Sequence, residues 1–230
     1  MNKETLKLLK KLDVLIVEDD KFLGKSLKDA LSEYCDKVVL KTDGEQGLSC
    51  YYDENFNIVI TDINLPKKNG LALAKEIKEH DKDALIVILT AYDSEHNIRT
   101  AIDISAFAFL HKPFELEQLY NTLLMAIGKI PAGEKFFDLG KGFRYIFKSR
   151  KLFYLEEEIH LTKTEANLLR ALINNAGETT TQENIERSVW YDKQATPDTI
   201  RMYINKLRVK LYHELIQNVQ GYGYRLAVPD

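Results

Sequence analysis

Glu18-Asp19-Asp20, Asp62, Thr90 and Lys112-Pro113 are the residues of this chain whose types and positions could do chemistry together. Each directly follows an apolar run that reads as a buried strand: Val14–Val17, Ile58–Ile60, Leu85–Leu89 and Phe107–Leu110. In an open parallel sheet, ligands bind beyond the carboxyl ends of the strands. The spacing therefore brings a group of carboxylates, one hydroxyl and one ammonium to a single rim. Clustered carboxylates repel one another unless a cation neutralises them. A site made of hard oxygens suits Mg²⁺, and with it phosphate chemistry.

The elements that must position these residues alternate along the first half. Strand-like runs at Val14–Val17, Lys37–Leu40, Ile58–Ile60, Leu85–Leu89 and Phe107–Leu110 precede helix-like runs at Phe22–Leu31, Glu45–Tyr52, Leu71–Glu79, Glu95–Ile104 and Leu116–Ile127. Repeated strand-then-helix units imply an α/β doubly wound parallel five-stranded sheet with right-handed crossovers. An unbroken apolar strand such as Leu85–Leu89 is what a sheet covered on both faces requires. Gly128–Gly133, with Pro131 inside it, breaks the last helix. The chain accordingly divides into a first domain at 1–127, a linker at 128–134 and a second domain at 135–230.

The second half changes grammar. Phe136–Phe153 carries short Phe/Tyr-rich runs punctuated by Gly140 and Gly142, the pattern of small antiparallel strands. Thr162-Lys163-Thr164-Glu165 forms a capping box ahead of a helix at Ala166–Ile173, which Gly177 ends. Further helices are expected at Gln182–Val189 and Thr199–Tyr212, with Ile200, Ile204, Leu207 and Leu211 as the buried stripe of the last. Arg201, Met202, Tyr203, Asn205, Lys206, Val209 and Lys210 fall off that stripe. Ile216–Leu226 reads as a hairpin around Gly221-Tyr222-Gly223. Three helices followed by a hairpin make an α+β winged helix-turn-helix, whose last helix offers basic, amide and aromatic groups to a DNA groove.

Composition excludes some classes. No apolar run approaches the ~18 residues of a membrane helix, and Met1–Lys11 lacks a signal-peptide core, so a cytoplasmic protein with no membrane partner is expected. Cys35 and Cys50 lack metal-ligand spacing and are read as reduced, partly buried thiols. Residues 1–130 hold 17 Lys+Arg against 22 Asp+Glu, while residues 131–230 hold 15 against 13, so an acidic half precedes a mildly basic one. That asymmetry points to two jobs.

The first half resembles the receiver domain of two-component response regulators, through Val14–Asp20, Thr61-Asp62-Ile63-Asn64-Leu65-Pro66, Leu89-Thr90-Ala91 and Lys112-Pro113-Phe114. The second resembles the OmpR/PhoB-type winged-helix domain, through Leu161–Glu165, Val189-Trp190, Thr199-Ile200, Ile204–Arg208 and Gly221–Arg225. The resemblance spans nearly the whole chain except Met1–Lys11. It implies that Asp62 accepts a phosphoryl group from a sensor histidine kinase. Asp19 and Asp62 would hold Mg²⁺ directly, with the main-chain carbonyl of Asn64 as a third ligand and Glu18 acting through water. Lys112 would pair with a phosphoryl oxygen, and its bond to Pro113 would be cis. Thr90 and Phe109 would form the switch leading to a homodimer.

For DNA, the resemblance implies contacts from Thr199, Arg201, Met202, Tyr203, Asn205, Lys206, Arg208, Gln220 and Tyr222. Arg208 stands as a phosphate contact, Met202 as a partner for a thymine methyl, and neutral Gln220 where relatives often have Arg. The loop Tyr191–Pro197 matches the position that touches RNA polymerase in relatives. The dimer face departs from the family pattern, because Phe107, Ala108, Thr122 and Leu124 replace the usual charges. That substitution suggests an apolar interface on Phe107 and Leu124, or a compensating set of charges. The function expected is a phosphorylation-dependent transcription regulator rather than an enzyme. The alternatives are a phosphorylation-independent, constitutively dimeric DNA binder and an aspartate-nucleophile phosphatase. The phosphatase would need a second acid/base carboxylate and a substrate cap.

Overall fold

The computed structural model describes residues 3–91, 95–130, 136–147, 149–190 and 194–227. The chain forms two compact units, Met1–Pro131 and Ala132–Asp230. The division falls inside the expected linker 128–134, of which 131–134 lie outside the described residues. Among the described residues no helix is long and apolar enough to cross a membrane.

The first unit opens with α1 (Lys3–Leu6), continued by a 3-10 turn over Lys7–Lys11. There follow β1 (Asp13–Val17), α2 (Lys21–Ser32), β2 (Lys37–Lys41), α3 (Gly44–Asp53), β3 (Ile58–Asp62) and α4 (Gly70–His80). The series closes with β4 (Leu85–Thr90), α5 (Glu95–Asp103), β5 (Ala108–His111) and α6 (Leu116–Ile127). The strands pair in the order β2-β1-β3-β4-β5, all parallel. The order reverses at β1, which places a crevice beyond the carboxyl ends of β1 and β3. Every residue of β1 and β3 is buried, as helices on both faces require.

The segment before β1 was silent in the sequence and is structural. Leu6, Leu9 and Leu12 are buried in one cluster with Leu119, Leu123 and Ala126 of α6 and with Leu31 and Cys35. Burial pushes the thiol of Cys35 up to about 12 and that of Cys50 to about 11, so both remain protonated and inert at neutral pH.

In the second unit, β6 (Phe136–Gly140), β7 (Phe143–Ile146), β8 (Lys151–Tyr154) and β9 (Glu157–Ile159) form an antiparallel sheet. Next come α7 (Lys163–Asn174), β10 (Thr179–Thr181), α8 (Gln182–Val189) and α9 (Pro197–Lys210). The unit ends with β11 (Ile216–Val219) and β12 (Gly223–Leu226), which pair with β10 in the order β10-β12-β11. The expected capping box is present: Thr162 Oγ1 accepts from Glu165 N, and Glu165 Oε2 accepts from Thr162 N. Gly177 does not end α7. Asn175 caps it, and Gly177 (φ +83°) instead donates its N–H to Leu226 O. Helix α9 starts two residues before the expected Thr199 because Thr196 caps it and Pro197 occupies its first turn.

Candidate functional site

The structure brings Glu18, Asp19, Asp62 and Lys112 together at the crevice. Asp62 ends β3, and the following N–H, Ile63 N, donates to Leu89 O at 3.2 Å, which ties it to β4. Glu18 follows β1 and is fixed by its N–H on Lys41 O at 3.0 Å. Carboxylate oxygens of Glu18, Asp19 and Asp62 lie within 4.8 Å of one another. Asp20 is spent elsewhere: its Oδ1 caps α2, accepting from Phe22 N at 2.9 Å and Leu23 N at 3.1 Å. Three clustered carboxylates, two of them buried and one on the rim, are a donor set that fits a hard divalent cation.

Lys112 supplies the opposite charge. Its Nζ donates to Glu18 Oε2 and to Asp62 Oδ2, each at 2.7 Å. Burial alone would depress the lysine, but hydrogen bonds to the two carboxylates hold it above its ordinary value. For Glu18 the balance goes the other way. Burial dominates and raises its carboxyl above the usual glutamate value despite Lys112. The Lys112–Pro113 bond is cis, as the resemblance implied.

Thr90 ends β4, is buried, and pairs in register with His111; its carbonyl accepts from Lys112 N at 2.6 Å. Phe109 pairs with Ile88 and so shares the sheet face of Thr90. It is half-buried. Asn64 is exposed and donates its N–H to Asp62 Oδ1 at 3.3 Å.

The loop after Asp62 is shaped by residues that sequence reasoning passed over. A Cβ on Gly70 would stand 1.8 Å from Asp62 O, so only glycine lets the start of α4 approach the end of β3. The neighbouring Asn69 caps α4 through Ala72 N at 2.7 Å. Lys67 reaches Asp43 at 2.8 Å, which helps hold the Asp43 carboxyl below its usual value although burial works against it. The signal was the Asn69-Gly70 pair, a cap followed by the residue that tolerates close contact.

The candidate nucleic-acid face expected from the sequence centres on α9. Ile200, Ile204 and Leu207 are buried in the core of the second unit. Arg201, Met202, Asn205 and Lys206 are exposed, and so are Gln220 and Tyr222 at the hairpin tip. Thr199 is half-buried and shares a hydrogen bond with Thr196 at 3.0 Å. Gly223 is forced: a Cβ there would meet Thr180 O at 2.1 Å.

Two of the residues expected at DNA also tie α9 to its own domain. Tyr203 is half-buried with its ring edge-on to Trp190, 5.4 Å between centroids, because position 203 adjoins the Ile200–Ile204–Leu207 stripe. Arg208 donates Nε and Nη2 to Ile216 O at 3.0 and 2.6 Å and Nη1 to Asn205 Oδ1 at 3.2 Å, which ties α9 to β11. Lys210 likewise turns inward, to His160 O at 2.8 Å and Glu165 at 2.6 Å. Sequence reasoning placed Val209 off the buried stripe without assigning it a role, and it is 87% exposed. In the expected polymerase loop, Tyr191–Lys193 lie outside the described residues, and Ala195 N donates to Glu186 at 3.0 Å.

Residues expected at the dimer face also pack within the first unit. Thr122 is buried, its hydroxyl donating to Gln118 O at 2.9 Å, and Phe107 and Leu124 pack as half-buried residues on the core of the first unit. The exposed apolar side chains on that side are Ile98 and Ile102 of α5 and Leu116 and Met125 of α6.

Residues 14–124 match the response regulator receiver domain, and residues 156–226 match the family described as transcriptional regulatory protein, C terminal. The chain is 30% identical to the regulatory protein VanRB of Enterococcus faecalis over 214 residues, covering 93% of this chain and 96% of that protein. It is 32% identical over 232 residues to the probable transcriptional regulator ycf27 of Galdieria sulphuraria, covering 94% and 91%. The structure of DrrB from Thermotoga maritima, described as an OmpR/PhoB homologue, matches with a TM-score of 0.47 and 24% identity over 94% of this chain and 98% of that chain. The strand-end acidic cluster with its lysine, the winged helix, the two family matches and the curated relatives agree: the chain belongs to the two-component response regulators of the OmpR/PhoB type, DNA-binding regulators of transcription.

Proposed function

We propose that Asp62 is the phosphoryl acceptor and that its modification controls DNA binding. The observation that carries this reading is Lys112 Nζ, 2.7 Å from both Asp62 and Glu18. A carboxylate oxygen of Asp62 forms the O–P bond while the P–N bond of a kinase phosphohistidine breaks, its electron pair leaving on the imidazole. Lys112 is placed to follow the incoming phosphoryl oxygens and neutralise them. Asp19 and Asp62, the Asn64 carbonyl and, through water, Glu18 would hold Mg²⁺, which supplies charge neutralisation at the phosphoryl group when bound.

Phosphorylation adds about −1.5 to −2 charge at Asp62. Thr90, on the next strand end, then turns its hydroxyl to the phosphoryl group, and Phe109 on the same sheet face follows. The surface of α5, β5 and α6 pairs with a second copy, which sets two winged helices on promoter DNA for contact with RNA polymerase. Phe22, exposed on α2 just beyond Asp20, belongs to the surface a kinase must cover to reach Asp62. The protein acts as a regulator in the cytoplasm rather than as an enzyme with turnover.

The test is DNA affinity of the full chain before and after acetyl phosphate. Wild type should tighten and Asp62→Asn should not. Equal, tight binding in both states would instead favour the phosphorylation-independent, constitutively dimeric regulator.

A further inference from the structure

Helix α9 turns outward one stripe, Asp198, Arg201, Met202, Asn205, Lys206 and Val209, along an open groove. Its polar members are engaged within the domain. Arg201 Nη1 donates to Asp198 Oδ1 at 3.1 Å, and Lys206 Nζ sits 4.7 Å from the centre of the Tyr203 ring. Asn205 Oδ1 accepts from Arg208 Nη1 at 3.2 Å, and Arg208 is itself anchored on Ile216 O. That chain of contacts fixes the Asn205 amide. With one oxygen lone pair taken by Arg208, the side chain keeps its NH2 and the second lone pair for a groove.

Beside these polar groups the stripe exposes two apolar side chains. Met202 is 45% exposed and Val209 is 87% exposed. The apolar group displayed in the major groove is the C5-methyl of thymine. The hairpin tip adds a neutral Gln220 and an exposed Tyr222 rather than a cation.

We propose that this chain selects its DNA sites largely through two thymine methyl groups, one covered by Met202 and one by Val209. The proposal rests on α9 being the helix that enters the major groove. Seven residues along a helix rise about 10 Å, which matches about three base-pair steps of 3.4 Å. The two thymines therefore lie about three base pairs apart, on either side of the base that Asn205 addresses.

The test uses the full-length chain with beryllofluoride. A duplex is selected from a random pool, and its thymines are replaced one at a time by deoxyuridine, which removes the methyl and keeps every hydrogen-bonding edge. Loss of each covered methyl should weaken binding about fourfold. Met202→Ala should erase the penalty at one thymine, and Val209→Ala should erase it at the other. Both side chains are exposed, so unchanged melting temperatures would show that the fold is intact. Sequence-selective binding indifferent to deoxyuridine overturns the methyl proposal alone, and so do penalties that survive both substitutions. Failure to select any duplex overturns the assignment of α9 to the groove, and the proposal with it.

Discussion

Lys112 Nζ and Asp62 Oδ2 lie 2.7 Å apart, although β5, which carries the lysine to the rim, is two strands from β3 in the sheet. The same ammonium holds Glu18 at 2.7 Å. Two buried carboxylates are thereby compensated by one internal cation, and a pair of this kind is costly to break by removing a single partner. Asp62 is fixed in place by the cation that would meet a phosphoryl group there.

Cation binding should be unusually sensitive to mild acid. Burial raises the Glu18 carboxyl above its ordinary 4.5, so Glu18 takes up a proton at a pH where a free glutamate is still ionised. Calorimetric titration of Mg²⁺ at stepwise lower pH should show affinity beginning to fall while the pH is still above 4.5, and Glu18→Gln should flatten the response. In metal-free protein the sign reverses. A carboxyl with a raised folded pKa makes the ionised form unfavourable, so protonating Glu18 stabilises the first unit as pH falls. Affinity that holds until well below 4.5 would contradict this account.

The segment before β1 should matter for stability rather than for chemistry. Leu9 is fully buried against α6. Leu9→Ala should cost about 2–5 kcal/mol in the unfolding of the first unit, measured by urea titration, while leaving phosphoryl labelling intact under native conditions.

Arg208→Ala should loosen the second unit by about 1–3 kcal/mol, because Ile216 O and Asn205 both lose their donor. DNA affinity should fall through misplacement of α9, with the slope of log K against log salt unchanged. A slope reduced by about one unit would show that Arg208 contacts a phosphate directly.

Association of the phosphorylated state should depend little on salt. Exposed Ile102 and Met125 mark the α5–α6 side, and apolar burial is not screened, whereas exposed ion pairs are. Sedimentation of the beryllofluoride-treated chain should be flat across salt, and Ile102→Asp should shift it toward monomer. Leu124 is a poor probe, since it packs on the core and its replacement would report unfolding.

The doubly wound sheet was legible because its strands are continuous apolar runs, each followed by a helical period, and the acidic strand ends could be read from that order alone. Helix α7 was legible through its capping box, and α8 was found at its observed bounds, Gln182–Val189. Other features depend on partners distant in sequence. The Leu6–Leu9–Leu12 face spans a helical turn too short to show a period, and its lysines disguise it. Strands β9 and β10 have three residues each, and their neighbours in the sheet define them. The period placed Tyr203 one position off the buried stripe, and its edge-on contact with Trp190, thirteen residues earlier, was not legible from that period. Arg208 resembled a phosphate contact by position, while the carbonyl it serves belongs to β11.

The most direct measurement of the central claim is the intact mass of the full chain after incubation with acetyl phosphate, with and without Mg²⁺. Wild type should gain one phosphoryl group only when the cation is present, and Asp62→Asn should gain none. A phosphoryl mass on Asp62→Asn, or its absence from wild type with Mg²⁺, would contradict the assignment of Asp62 as the acceptor.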